Sequence, residues 1–384
     1  MSHHNATFGL TMDIDADWAV IGSKVRVDTL STGAAHFYHR DADTGLWTGT
    51  QVIPPSAGIR FGGTWETPPV SVCDDLAVVG GHAFDSDQAT VSVYRRNGSS
   101  WDLRTDFEVE GTYLQPEDLQ VSGDRIFVGA RYTDAASNTT DAVHIYRHNG
   151  STWELEARLL DPYSELGYYG WHLAADGNLL VVGALSHSGP WYASGGAFIY
   201  EHDGTSWQFR QEISLLEYVD LGASVAVSGD RIAFATERCV GTKDVVLIYD
   251  RSDGGWVPTA ELFPQEPASS FYSTCDLDGD TLVFGANANN MGPGIRGSAY
   301  VFEYDGQTWF EAMELVPPVT DEWFGTTVAI DGVTVLTSDP FDDTVGYDAG
   351  TVWFHTIPEP ATAMLLSLGG LIALGRHRQP ACGT

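Results

Sequence analysis

Along the chain, short stretches in which apolar and polar residues alternate give way to continuous apolar, β-branched runs, and this order recurs. Placed under one another, "FGLTMDIDADWAVIGS" (from Phe8), "LGASVAVSGDRIAFAT" (from Leu221), "FYSTCDLDGDTLVFGA" (from Phe271) and "FGTTVAIDGVTVLTSD" (from Phe324) share one frame without gaps. "YGWHLAADGNLLVVGA" from Tyr169 and "QPEDLQVSGDRIFVGA" from Gln115 fit the same frame, and a seventh copy from Phe61 needs five extra residues before its turn. Each copy continues into an alternating run that ends on an aromatic, as in "AVHIYRH" and "GAFIYEH", then a turn such as "HNGSTW" and a tryptophan. Trp47, Trp101, Trp153, Trp207, Trp256 and Trp309 follow one another at 54, 52, 54, 49 and 53 residues.

Alternation with period two is the signature of a half-buried strand, and Gly-Asp, Asn-Gly and Asp-Gly between such runs mark hairpins. Where Asn-Gly or Asp-Gly joins such runs, type I′ geometry with positive φ at both central residues is the expectation. Four strands per repeat, arranged radially, give a β-propeller. The predicted fold is therefore all-β: a seven-bladed propeller of four-stranded antiparallel blades over residues 8–356, after a short N-terminal segment (1–7) expected to be disordered and before a tail (357–384) whose apolar run, 361–375, is expected to form a short hydrophobic helix. The repeated tryptophans are expected to pack blade on blade. The seventh copy stops after "GTVWFHT" with no Trp-led strand. Its blade is accordingly expected to be three-stranded with an open edge, unless a strand and a signal peptide are encoded upstream of Met1.

The repeat resembles the FG-GAP family, the blades of the integrin α-subunit propeller and of many bacterial exported proteins. Phe8-Gly9, Phe61-Gly62 and Phe324-Gly325 match its blade starts. Val128-Gly129-Ala130, Val182-Gly183-Ala184 and Phe284-Gly285-Ala286 match the end of its second strand. The resemblance implies ligand binding on the face carrying the connections from second to third strand and from blade to blade. On that face the sequence places variable segments, among them 23–33, 81–90, 130–141, 160–168 and 184–195, and individual loops on a regular scaffold are where binding usually resides. The richest candidate pairs Tyr163 and Tyr168 with His187, Trp191 and Tyr192, rings suited to stacking on a sugar or a protein partner.

Composition narrows the partners. With 52 acidic against 19 basic residues and a formal net charge of −33, the surface repels phosphate backbones and anionic lipid, so a nucleic-acid partner is not expected. Four irregularly spaced cysteines form neither a disulfide framework nor a zinc motif. Calcium enters through the resemblance, because integrin-type blades often bind it in a long Asp-rich loop; the nearest matches are Asp13, Asp15 and Asp17, and Asp276, Asp278 and Asp280. Calcium wants six to eight oxygens, and these turns are short, so the hairpin reading outranks a metal site and no cofactor is expected. No HExxH, GxSxG, P-loop or dinucleotide motif is present. An enzyme could still gather carboxylates and a histidine from separate loops, for example Asp134, Asp141 and His187, as a hydrolase or lyase of extracellular polysaccharide.

The chain closes on "IPEPATAMLLSLGGLIALGRHR". The apolar run from Ala361 to Gly375 is 15 residues, short of the roughly 20 that span a bilayer. Pro358-Glu359-Pro360, the apolar run and the basic Arg376 and Arg378 together resemble a PEP-CTERM sorting signal. That resemblance implies an exported protein, held transiently at the inner membrane until an exosortase-type enzyme cuts near the tripeptide, and then resident in the envelope or outside the cell. The sequence thus reads as a binding, adhesion or scaffold module with a removable address.

Overall fold

The computed structural model describes residues 7–27, 30–62, 67–86, 88–112, 116–163, 167–185, 195–215, 218–238, 244–264, 273–287, 297–317, 323–344 and 349–358. Pro358 is thus the last described residue; Glu359, Pro360, Arg376 and Arg378 lie outside the described residues, as do His187, Trp191 and Tyr192.

Seven antiparallel sheets follow one another in chain order. Blade 1 consists of β1 (Met12–Asp15), β2 (Trp18–Val27), β3 (Leu30–Arg40) and β4 (Trp47–Ile53). In blade 2, β5 (Ile59–Phe61) and β6 (Val70–Cys73) both pair with β7 (Leu76–Ala83), followed by β8 (Ala89–Asn97) and β9 (Ser100–Glu108). The extra residues of the second copy therefore interrupt its first strand. Blade 3 holds β10 (Asp118–Ser122), β11 (Arg125–Thr133), β12 (Thr139–His148) and β13 (Trp153–Leu160); blade 4 holds β14 (Tyr169–Asp176), β15 (Leu179–Ala184), β16 (Gly196–His202) and β17 (Trp207–Ile213). Blade 5 is β18 (Tyr218–Ser228), β19 (Arg231–Arg238), β20 (Asp244–Ser252) and β21 (Gly255–Leu262); blade 6 is β22 (Ser273–Asp278), β23 (Thr281–Ala286), β24 (Ser298–Tyr304) and β25 (Trp309–Leu315). Among the described residues blade 7 shows three strands, β26 (Val328–Asp331), β27 (Thr334–Asp339) and β28 (Thr351–Thr356).

Second strands are the most deeply covered, with neighbouring blades on both faces: β7, β15, β23 and β27 are buried at every residue. One apolar cluster fills each of the seven seams. The seam between blades 7 and 1 is closed by Met12, Ile14, Ala19 and Ile21 against Ala329 and Leu336. The repeated tryptophans act as expected: Trp101 stacks on Phe37 of the preceding blade at 5.0 Å, Trp207 meets Phe127 edge-on at 5.5 Å, and Trp47 stacks on Phe354 at 4.8 Å. Arg125 and Arg231 open their second strands at equivalent positions. Each sets its guanidinium over the next blade's tryptophan, Trp207 at 5.6 Å and Trp309 at 4.9 Å.

The glycines of the repeat have a steric cause. A Cβ on Gly183 would stand 2.1 Å from the carbonyl oxygen of Gly222 in the next blade, and one on Gly195 2.1 Å from that of Leu221. The same knuckle recurs where Gly285 and Gly297 receive Gly325 and Phe324. So the blade-opening Leu221-Gly222 and Phe324-Gly325 each seat on two glycines of the blade before, and only a bare Cα leaves room.

Two expectations are corrected. At the turns between first and second strands, positive φ falls on the first central residue alone: Ala16, Asp74, Gly123, Gly177, Gly229, Gly279 and Gly332 lie between 53° and 58°, while the residue after each is not in that region. This is the type II′ pattern, which asks for glycine first rather than at both places. The segment 23–33, read as a variable loop, is instead strand almost to its tip, with Ser23 opposite Ala34 and Val27 opposite Leu30.

Candidate functional site

The first strands of all the blades line an axial channel of about 410 Å³. Their side chains face it in layers. In the layer nearest the tight turns, the last residue of each first strand accepts the main-chain N–H of the next blade's turn. Asp15 Oδ2 takes Asp74 (2.5 Å), Ser122 Oγ takes Gly177 (3.0 Å), and Asp176 Oδ2 takes Gly229 (2.7 Å). Ser228 Oγ takes Gly279 (2.9 Å), Asp278 Oδ2 takes Gly332 (2.7 Å), Asp331 Oδ2 takes Ala16, and Cys73 faces the Gly123 N–H. All seven seams carry this clasp, the one between blades 7 and 1 included.

Deeper in, Asp13 Oδ2 accepts from Ser71 Oγ and the Val72 N–H, both at 2.8 Å, while its Oδ1 takes the N–H of Ile14. Asp276 repeats this with Ile330 (2.8 Å) and Leu277 (2.8 Å), and Asp118 with Leu173 (2.7 Å) and Leu119 (2.7 Å). Each carboxylate thus spans a seam with both oxygens engaged by main-chain donors. Burial in the channel pushes these acids up, Asp13 to about 6 and Asp118 and Asp276 to about 7, with the hydrogen bonds opposing the shift; the charge of Asp15 adds to it at Asp13, and that of Asp13 adds to it at the other two. His172 lines the same channel and is pushed down to about 4 by burial.

The six aspartates weighed for calcium are therefore split among different places. Asp13 and Asp276 face the channel, Asp15 and Asp278 clasp turns, and Asp17 and Asp280 sit within the turns, with Asp280 2.7 Å from Arg231. Among the described residues, no group of three His, Cys, Asp or Glu side chains is arranged to hold a metal ion.

On the opposite face, Tyr163 and Tyr168 both lie in the segment joining blades 3 and 4. Tyr163 is 48% exposed; its hydroxyl donates to Glu212 Oε2 (2.6 Å) and its ring leans on Phe198. Tyr168 is 40% exposed, takes a φ of 57°, and meets Trp171 edge-on at 4.9 Å. Positive φ on an aromatic residue is strained and persists only when its surroundings hold it. Of the five residues expected to bind, the structure places these two at the rim. Of the trio Asp134, Asp141 and His187, Asp134 is tied into its own turn by Ala136 and Asn138. Asp141 is buried beside Arg131 (3.4 Å), and His187 lies outside the described residues. The residues that sequence reasoning missed are Asp118, His172 and the clasps; their signal was a shared position in the repeat frame.

No protein-family profile matches the chain, and no curated protein matches it. Solved structures do. The acylaminoacyl peptidase of Pyrococcus horikoshii is similar over 94% of this chain (TM-score 0.57, 11% identity), although the chain spans about half (54%) of that protein. The β-propeller domain of the Trilobed protease from Pyrococcus furiosus, described as having an open velcro topology, matches 91% of this chain and 95% of its own (TM-score 0.54, 8% identity). Kuenenia stuttgartiensis hydrazine synthase matches 93% of this chain and 98% of its own (TM-score 0.57, 12% identity). At these identities the likeness is one of fold.

Proposed function

We propose that the protein is an FG-GAP-type propeller exported to the cell envelope or beyond, where it binds extracellular polysaccharide as an adhesion or scaffold module, sorted through a PEP-CTERM tail by an exosortase-type enzyme. The observation that carries the binding reading is Tyr168, an exposed ring held at positive φ against Trp171. Tyr163 with Glu212 in the same region adds a second ring face and a carboxylate. Aromatic faces accept the C–H surface of a sugar, and a carboxylate accepts its hydroxyls. His187, Trp191 and Tyr192 belong to the neighbouring segment of blade 4 and are proposed to extend the same surface. The channel carboxylates Asp13, Asp118 and Asp276, by contrast, have both oxygens engaged by main-chain donors, and the rim rings are the surface on which the binding reading rests.

The test is a glycan and matrix-protein binding screen with the intact chain, repeated with Tyr168→Ala and Trp191→Ala. Binding without turnover, weakened about tenfold or more by either substitution, supports the module. Release of reducing ends or unsaturated sugars establishes a propeller hydrolase or lyase instead.

A further inference from the structure

Between the clasps and the knuckles, a first-strand side chain ties every seam but one among the described residues. Asp13, Asp118 and Asp276 take the N–H groups of Val72, Leu173 and Ile330. Ser71 Oγ takes that of Val121 (3.1 Å), Ser224 Oγ takes that of Cys275 (3.0 Å), and the Thr327 hydroxyl donates to the Leu10 carbonyl (3.1 Å). The exception is the seam between blades 4 and 5. There Ala174 stands where Asp13 and Asp276 stand in the repeat frame, and a methyl group accepts no hydrogen bond. His172 stands where Asp118 and Ser224 stand, yet neither of its ring nitrogens is hydrogen-bonded among the described residues.

The missing ties leave main chain open. In an antiparallel ladder alternate residues turn both N–H and C=O to the partner strand, and the residues between them turn both away. Asp176 closes its hairpin opposite Leu179, and Ser228 closes its own opposite Arg231. Ala175, Val225 and Val227 therefore turn both groups away from the ladder, toward the channel they line. Their neighbours in the same phase confirm the direction, since Leu173, Gly177 and Gly229 donate to side chains of the channel wall. No side chain among the described residues meets the N–H or C=O of Ala175, Val225 or Val227, and the Gln120 amide beside them on the wall is likewise unengaged. A hydroxyl group both donates and accepts, which is what each open N–H and C=O pair asks for. An anion would lie in one channel with Asp13, Asp118 and Asp276, and an ammonium group has nothing to offer the N–H donors. An uncharged polyol such as a sugar ring answers both, and about 410 Å³ is a volume that holds a small ligand.

We propose that the channel wall from Gln120 to Val227 is a subsite for one uncharged sugar residue, bound through the open main chain of Ala175, Val225 and Val227 and the side chains of Gln120 and His172. His172 directly follows Trp171, on which the Tyr168 ring packs, so the subsite continues inward from the rim. A chain lying on the rim rings would thus place its terminal unit in the channel. That last step rests on the polysaccharide reading above, whereas the subsite itself does not.

Saturation-transfer NMR on the intact chain decides it, with free glucose, galactose and N-acetylglucosamine as neutral probes and glucuronate and glucosamine as charged ones. At least one neutral sugar is expected to bind. Ala174→Asp, which offers the Val227 N–H the carboxylate that Asp13 offers Val72, is expected to weaken it about tenfold or more, and so is Gln120→Ala with His172→Ala. Tyr168→Ala should leave free-sugar affinity within about twofold while weakening polymer binding. The double variant decides the matter if Ala174→Asp does not fold. Absence of binding by every neutral sugar shows a channel that holds water only and overturns the proposal, as does tighter binding of a charged sugar or equal affinity in the parent and the variants. Polymer bound at the rim without any free-sugar response ends the subsite and spares the rim reading; free sugar bound in the channel without polymer does the reverse.

Discussion

Gly183 of blade 4 lies under the carbonyl of Gly222 in blade 5, with room for a hydrogen but none for a methyl group. A Cβ at 2.1 Å from that oxygen has no rotamer to escape through, because both partners are main chain. Gly183→Ala is therefore expected to part the seam and to lower stability by about 1–3 kcal/mol, the usual cost of overpacking. Denaturant unfolding monitored by tryptophan fluorescence reads the shift. An unchanged midpoint would show that the two backbones can slide apart freely.

The repeated tryptophans are expected to differ in worth. Trp207 is 8% exposed, packs on Phe127 and donates from Nε1 to Glu156 at 3.0 Å, so Trp207→Ala should cost about 3–5 kcal/mol. Trp101→Ala should cost as much, since that ring is 2% exposed and stacked on Phe37. Equal midpoints for either variant and the parent chain would remove these rings from the blade-packing role.

Gln211 fastens blade 4 to blade 5 through two bonds to one residue, accepting the Trp256 N–H and donating to its carbonyl, each at 2.9 Å. Replacing it by Ala leaves a half-buried main-chain pair to water, at an expected cost of about 1–2 kcal/mol. Gln211→Glu keeps one bond and loses the other, and should fall between the two. Thermal melts of the three chains order them.

Asp118 gives a pH signature. Its carboxyl is raised from the usual 3.8 to about 7 in the folded state, chiefly by burial. The folded chain therefore holds this proton where the unfolded chain has lost it. The contribution is fully present below the unfolded value and disappears as pH rises through the folded one. Asp118→Asn abolishes the titration, so the stability of the parent chain relative to the variant should decline between about pH 4 and pH 8. His172, pushed the other way, titrates in both chains and cancels in the difference, as do Asp13 and Asp276 to the extent that their coupling to Asp118 is small. A difference that grows with pH would reverse the assignment of burial as the cause.

The engaged oxygens of Asp13 and Asp276 also bear on calcium. Chelation with EDTA followed by excess calcium is expected to move the melting temperature by less than about 1 °C, whereas a resident ion would shift it by mass action. A fall with EDTA that calcium restores would return these aspartates to the list of metal ligands.

The architecture was legible in the sequence because a propeller repeats its contacts as well as its shape. The recurrence of Trp, of Gly-Asp and of Phe-Gly in one frame reported blades, turns and knuckles, and the interrupted first strand of blade 2 was visible as five extra residues. What could not be read were relations between copies. Asp13 meets Val72, and Asp118 meets Leu173, across more than fifty residues, and nothing local distinguishes a clasping carboxylate from a turn aspartate. The turn class was misjudged for a related reason: Gly-Asp and Asp-Gly look alike in composition, but the position of the glycine decides where positive φ falls. At the rim, the aromatic character of Tyr163 and Tyr168 was evident while the backbone strain at Tyr168 was not.

The seven clasps all run in one sense, acceptor in one blade and donor in its successor, and the pair from Asp331 to Ala16 is built like the rest. In its clasps the ring consequently has no privileged join. A chain cut in the segment after Ile213 and rejoined elsewhere would meet the same chemistry at its new closure as at the old one. What such a fold passes on when copies are gained or lost is the seam, half of it held by each neighbour, and any blade that carries both halves can stand beside any other.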